Sequence, residues 1–286
     1  MHSVPALSNH VELEKNGIPG LLSAKGFDIA YTQYHAHILD ELNAVTQGAY
    51  HPPARALPSK WLTPSPGTKD ENQDPKSLIL SYARDPMWAY GFNHASMAFN
   101  NHFFFKGLAS DPNATSTPPA ELLPKINNSF SSLETLKETF LATADAMFGP
   151  GFVWLVQKND TADRKLMIMT TYLAGSPLPG AHHRRQQHDL NNHNADSYRG
   201  LNAAGSFGAA SKVDQTPTKA LGGVDVVPLL CVNTWEHVWL HDYGVRGKAA
   251  YLEAWWNKIN WNQVRDLASL EDQSRPAGGM RRFAYA

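Results

Sequence analysis

The side chains with the most chemistry to offer are thirteen histidines and a single cysteine, Cys231. One cysteine excludes an internal disulfide framework and any cluster built on cysteine sulfur. Its place in the apolar run Pro228-Leu229-Leu230-Cys231-Val232 marks it as an inert core thiol. Imidazoles bind first-row transition metals and move protons near neutral pH, and many simply satisfy hydrogen bonds in a packed interior. His35, His37, His94 and His102 fall in segments of helical period, and His237 closes the run Asn233-Thr234-Trp235-Glu236-His237. His182, His183, His188 and His193 sit instead among Arg184, Arg185 and Gln186, in a polar stretch that reads as solvated loop and not as a metal site.

The formal charge is −1 with no long run of Lys or Arg, so nothing in the balance calls for broad electrostatic binding of nucleic acid. Two local basic clusters, Arg184-Arg185 and Arg281-Arg282, are the candidate RNA contacts. No stretch of about 18 apolar residues is present, so no membrane span is expected. Met1 to Leu7 have neither the Arg-rich amphipathic character of a transit peptide nor the apolar core of a secretory signal. Eight Trp, ten Tyr and twelve Phe supply the apolar surface of a globular chain.

The elements that must position these residues begin with a long helix from Gly20 to Asn43, where Phe27, Ala30, Tyr31, Tyr34, Ile38, Leu39 and Leu42 recur at three- and four-residue spacing. After a Pro-rich loop a second helix is expected from about Ser77 to Leu108, making an antiparallel hairpin. Ser110 to Pro119 reads as a linker, followed by helices over Glu121–Asn128 and Leu133–Met147, the latter capped by Ser131 or Ser132. The period then shortens. Phe152–Val156 and Leu166–Tyr172 predict a β-hairpin, Val226–Val232 a third strand, and Tyr251–Trp261 an aromatic helix. The organisation is an N-terminal extension over 1–19, a helical hairpin over 20–109, an α+β domain over 118–265 with a long, mobile insertion over 175–223, and a tail over 266–286.

The C-terminal part, Asn233-Thr234-Trp235-Glu236-His237 followed by Tyr251 and Trp255-Trp256-Asn257-Lys258-Ile259-Asn260-Trp261, resembles the signature of iron/manganese superoxide dismutases. In that family a strand ends in Asp-x-Trp-Glu-His and a later helix carries Trp-x-x-Ile-Asn-Trp. A second block, Glu121-Leu122-Leu123 to Gly149-Pro150-Gly151-Phe152-Val153-Trp154-Leu155, is similar to the family's run from Glu-Leu-Leu to Gly-Ser-Gly-Trp-x-Trp-Leu. A looser third block is Leu42-Asn43 with Asn101-His102-Phe103-Phe104-Phe105. The resemblance implies a helical hairpin and an α+β domain with a three-stranded antiparallel sheet, with a metal between them.

The resemblance also implies a metal held by three His and one Asp, with an outer-shell Gln or His. Counting back from Leu42-Asn43, the first ligand position and its two partners on the helical face fall on Ala30, Tyr34 and Ile38. His35, about 140° round the helix from Ala30, is not expected to replace the ligand and reads as a surface or capping group. The second ligand is expected at His102, with His94 as its rival, the third position is Asn233, and the fourth is His237. The outer-shell position is expected at Phe148. An amide carries no charge to offset a trivalent ion, so no cofactor and no dismutase activity are expected. A chain of this kind resembles the superoxide-dismutase-like proteins of the fungal mitochondrial ribosome's small subunit. That likeness implies a non-catalytic structural protein of the mitochondrial matrix, paired as a heterodimer with a related chain through Glu236 and His237. The alternative is an active dismutase with a rearranged site.

Overall fold

The computed structural model describes residues 2–47, 70–83, 88–109, 116–159, 164–182 and 225–270. Ser23 opens the first long helix by accepting a hydrogen bond from the Gly26 N–H, and α2 (Ala24–Phe27) runs on through a π turn (Asp28–Gln33) into α3 (Tyr34–Thr46). In the π turn the Tyr34 N–H is shared between the carbonyls of Ile29 and Tyr31. The expected second helix is two: α4 (Pro75–Tyr82), capped by Asp74 with Pro75 in its first turn, and α5 (Ala89–Lys106). α5 lies against both α3 and α4.

The residues before this hairpin are not a detached extension. α1 (His10–Asn16) buries Leu13, and Leu7 and Ile18 on either side of it are buried too. The Tyr31 hydroxyl donates to the Pro5 carbonyl at 2.7 Å, and the Asn43 side chain brackets His2, accepting from its N–H at 2.7 Å and donating to its carbonyl at 2.9 Å.

The second half opens with α6 (Leu123–Phe130) and α7 (Leu133–Ala146), the latter capped by Ser132 through the Thr135 N–H. Three strands follow, β1 (Gly151–Lys158), β2 (Leu166–Tyr172) and β3 (Val226–Asn233), in the order β2-β1-β3 with both pairings antiparallel. β1 is central and buried from Gly151 to Gln157, because α5 covers β3 on one side and α7 packs on β1. Pro228 is tolerated since β3 is an edge strand, and the register shifts opposite it, between Leu155 and Val156. This is the expected α+β architecture. α8 (Glu236–Tyr243) was not foreseen, and the aromatic helix is two, α9 (Lys248–Trp256) and α10 (Trp261–Leu267). Phe140 stacks on Trp255 at 5.3 Å between centroids, and Trp256 meets Trp261 edge-on at 5.6 Å.

The insertion begins inside the core. Ser176, Leu178 and Ala181 are buried, and Asn100 of α5 donates to the Gly175 carbonyl at 2.9 Å. The tail also begins tethered, since Ser269 and the Gln157 amide exchange bonds of 2.8 and 3.2 Å. Residues 183–224 and 271–286 lie outside the described residues, and with them Arg184, Arg185, Arg281 and Arg282. Cys231 is buried, which pushes its thiol pKa well up.

Candidate functional site

Asn233 is the last residue of β3, paired with Phe152 of β1, and the chain turns immediately after it into α8. Thr234 fastens that turn to β1, giving both its N–H and its hydroxyl to the Gly151 carbonyl at 2.9 and 3.0 Å. The Tyr251 hydroxyl of α9 donates to the Asn233 carbonyl at 2.8 Å. The Asn233 side chain accepts from the Trp235 N–H at 2.9 Å and donates through Nδ2 to Oδ1 of Asn101 at 3.2 Å. Asn101 in turn donates to the Ala30 carbonyl of the π turn at 3.2 Å. Ala30, Asn101 and Asn233 are all 0% exposed.

The residue of α5 that meets Asn233 is therefore Asn101 and not its neighbour His102, where the second ligand position was expected. Adjacent residues on a helix diverge by about 100°. Asn101 shares the buried face of Ala98, Phe104, Phe105 and Leu108, whereas His102 lies four residues before the exposed Lys106. That spacing was the available signal, and the dipeptide Asn101-His102 masked it by matching the family's Asn-His. His94 does not reach the site either, and its Nδ1 lies 2.9 Å from the Tyr90 carbonyl of its own helix.

His102 belongs to a second cluster. Its Nδ1 lies 3.0 Å from the Tyr31 hydroxyl, which already donates to Pro5, so the imidazole is the donor in this bond. His35, only 1% exposed and not the surface residue expected, stacks on Tyr31 at 5.1 Å and lies 6.2 Å from the His102 ring. Burial pushes both histidines down to about 4, helped by the charge of His102 in the case of His35 and by that of Lys106 in the case of His102. Desolvation raises Tyr31 far above its usual range.

His237 sits in the first turn of α8 with its ring stacked on Tyr34 at 3.8 Å. Burial holds its pKa down to about 4 and pushes Tyr34 up to about 12. Its Nε2 has no hydrogen-bond partner among the described residues. Ile38 is buried in the hydrophobic core. Phe148 is 96% exposed and so cannot line an interior outer shell as expected. Met147 ends α7 in extended backbone at φ −62° and ψ 117°, so that its side chain enters the core and the next, Phe148, faces solvent, before Gly149 turns the chain at φ +96°. The Met147 carbonyl accepts from the Lys248 ammonium at 2.8 Å, and that ammonium also feels the charge of exposed Glu236.

These residues do not fit an iron or manganese ion. Ala30 offers a methyl group, Asn101 and Asn233 are uncharged and already bonded to one another, and one imidazole nitrogen remains. Hard trivalent ions need anionic oxygen nearby, and none is present in this set. Among the described residues no group of three or more His, Cys, Asp or Glu is placed to hold a metal.

Comparison with known proteins agrees with the fold. Residues 118–189 and 200–267 match the family of iron/manganese superoxide dismutases, C-terminal domain. The chain is 31% identical over 195 residues to small ribosomal subunit protein mS42 of Schizosaccharomyces pombe, covering 67% of this chain and 72% of that protein. It is 27% identical over 271 residues to small ribosomal subunit protein mS43 of the same organism, covering 93% of this chain and 83% of that protein. A superoxide dismutase [Fe] of Legionella pneumophila is 29% identical over 197 residues, covering 69% of this chain and 74% of that protein.

Proposed function

We propose that this chain, which belongs to the iron/manganese superoxide dismutase family, is a structural constituent of the small subunit of the mitochondrial ribosome and performs no dismutation. The observation that carries the reading is the buried pair of amides. Asn233 stands where the family signature has its ligand Asp, and what it meets is a second amide, Asn101. Likeness to two proteins named for the small ribosomal subunit, one spanning 93% of this chain, supports the ribosomal part. A mitochondrial matrix location follows from that reading, as do neighbouring small-subunit proteins as partners and Arg184, Arg185, Arg281 and Arg282 as candidate contacts to ribosomal RNA.

The pairing partner we propose is a related superoxide-dismutase-like chain, met through Glu236 and His237. Glu236 is exposed at the start of α8 with His237 next to it, and Phe148, next to the Met147 carbonyl that accepts from Lys248, is a bare aromatic ring. An exposed aromatic beside polar groups is what interface anchors are made of. Co-sedimentation of the full chain with small ribosomal subunits through a high-salt gradient tests the role, with co-migration expected. Purified chain that carries near-stoichiometric iron or manganese and dismutates superoxide would overturn it in favour of the active enzyme.

A further inference from the structure

Two backbone groups, the Trp235 N–H at the entry to α8 and the Ala30 carbonyl in the π turn, are joined by a continuous hydrogen-bonded line. Trp235 N–H gives to Asn233 Oδ1 at 2.9 Å, Asn233 Nδ2 to Asn101 Oδ1 at 3.2 Å, and Asn101 Nδ2 to the Ala30 carbonyl at 3.2 Å. The ends set its direction. A backbone N–H can only donate and a backbone carbonyl can only accept, so each link between them must accept on one side and donate on the other. A neutral carboxamide does both. An ionised carboxylate at either place has no hydrogen to pass on and would set oxygen against oxygen in a site with no exposure to water.

We infer that this two-amide relay takes over the structural work of the ion for which the fold has a place, and that it positions the helix carrying Glu236 and His237. It ties β3 of the α+β domain to α5 and the π turn of the helical hairpin, three of the four elements that carry the family's ligand positions, the fourth being α8 with His237. By holding the Trp235 N–H it also fixes the residue, at φ −65° and ψ 134°, from which α8 departs. The relay explains why Asn occurs at both positions together: each amide is satisfied only because the other is there. It stands on local geometry and is independent of the ribosomal reading.

Native-state amide exchange on the unaltered chain is the first test. The Trp235 N–H is expected to exchange with the slowest class of core amides, and exchange at least about tenfold faster than the neighbouring β3 amides would overturn the relay. The second is melting temperature at neutral pH with metal analysis. Asn233→Asp, nearly isosteric, is expected to melt lower by on the order of 5 °C and to retain no iron or manganese, because the carboxylate lacks the donated hydrogen and brings a charge into a dry site. An unchanged melting temperature overturns the inference. Asn101→Leu with Asn233→Leu is expected to lose less than the sum of the two single variants, and additive losses count against coupling. Ala30→His with Asn233→Asp, purified from cells supplied with manganese, is expected to stay metal-poor while Asn101 remains, whereas stoichiometric manganese and a restored melting temperature would show a metal site waiting for its ligands.

Discussion

Two polar clusters lie side by side along α5, which contributes adjacent residues to each. Asn101 joins Asn233 and Ala30 in a line whose side-chain members are neutral at every accessible pH and bonded at both ends. His102 joins Tyr31 and His35 in a cluster of titratable rings, where the His35 Nδ1 has no partner among the described residues. One residue of rotation separates the two chemistries. The comparison teaches where the imidazoles of this fold have gone. His237 follows the amide line in the first turn of α8, and two others gather under the N-terminal segment, where Tyr31 links them to Pro5. The amide line should then give stability that pH does not touch, and the histidine cluster stability that acid removes.

Acid is the largest perturbation available. His35, His102 and His237 have folded pKa values of about 4, against 6.5 for the free side chain, with burial as the main cause in each case. Between these values the unfolded chain binds the protons first. The stability these groups contribute is therefore complete above about pH 6.5 and is lost as the pH falls toward 4. Linkage makes this on the order of 2 kcal/mol per histidine between pH 7 and pH 5. Urea denaturation at the two pH values should show the loss, and His35→Phe should remove about one histidine's share. A pH-independent midpoint would mean that these rings are hydrated in solution.

Tyr31→Phe separates the two clusters at smaller cost. The ring contacts with Phe27, Phe105 and His35 remain, but the hydroxyl that bridges Pro5 and His102 is gone. Two half-buried polar groups then lose their partner, worth about 1–2 kcal/mol. The N-terminal segment through α1 should become more open to limited proteolysis while the Trp235 amide keeps its exchange protection. If both loosen together, the clusters form one cooperative unit and the distinction drawn between them fails.

Much of this could be read from the residues, and the parts that could not share a physical cause. The strands were legible to within about two residues because β-branched and aromatic runs bounded by turns leave few other options: β2 spans Leu166–Tyr172 as expected, β3 runs one residue past Val232 and β1 two past Val156. The first helix was legible from its spacing, but its π turn was not, since inserting a wider turn leaves the apolar pattern intact while re-aiming every side chain after it. That is why His35 proves to be buried. α8 escaped notice because Glu236-His237-Val238-Trp239-Leu240-His241-Asp242-Tyr243 mixes charge and aromatics without a clear apolar face. At the site, Ala30 and Asn233 were found by motif, whereas the bond from Asn233 to Asn101 was not foreseen and Phe148 was assigned inward. Both concern direction, which a motif does not encode: the facing of α5 in one case, the extended backbone that ends α7 at Met147 in the other.

The smallest expected effect on stability is also the sharpest test of the outward face. Phe148 is 96% exposed, and Gly149 beside it has open space where a side chain would be, so no part of the core depends on either. Phe148→Ser should leave the melting midpoint within about 0.5 kcal/mol of the unaltered chain, as surface substitutions do. An aromatic ring left bare in water has a different value when a partner covers it. Truncating a well-packed interface anchor costs about 2 kcal/mol or more, which is a weakening of roughly thirtyfold. Association with the related chain, measured by sedimentation equilibrium, should fall by that order in Phe148→Ser and again in Glu236→Ala, with both variants folded. Unchanged association in both would remove this face from the pairing surface and leave the two clusters as interior features alone. A loss in Phe148→Ser with none in Glu236→Ala would keep the face but show that apolar contact, and not the Glu236 carboxylate, holds the pair together.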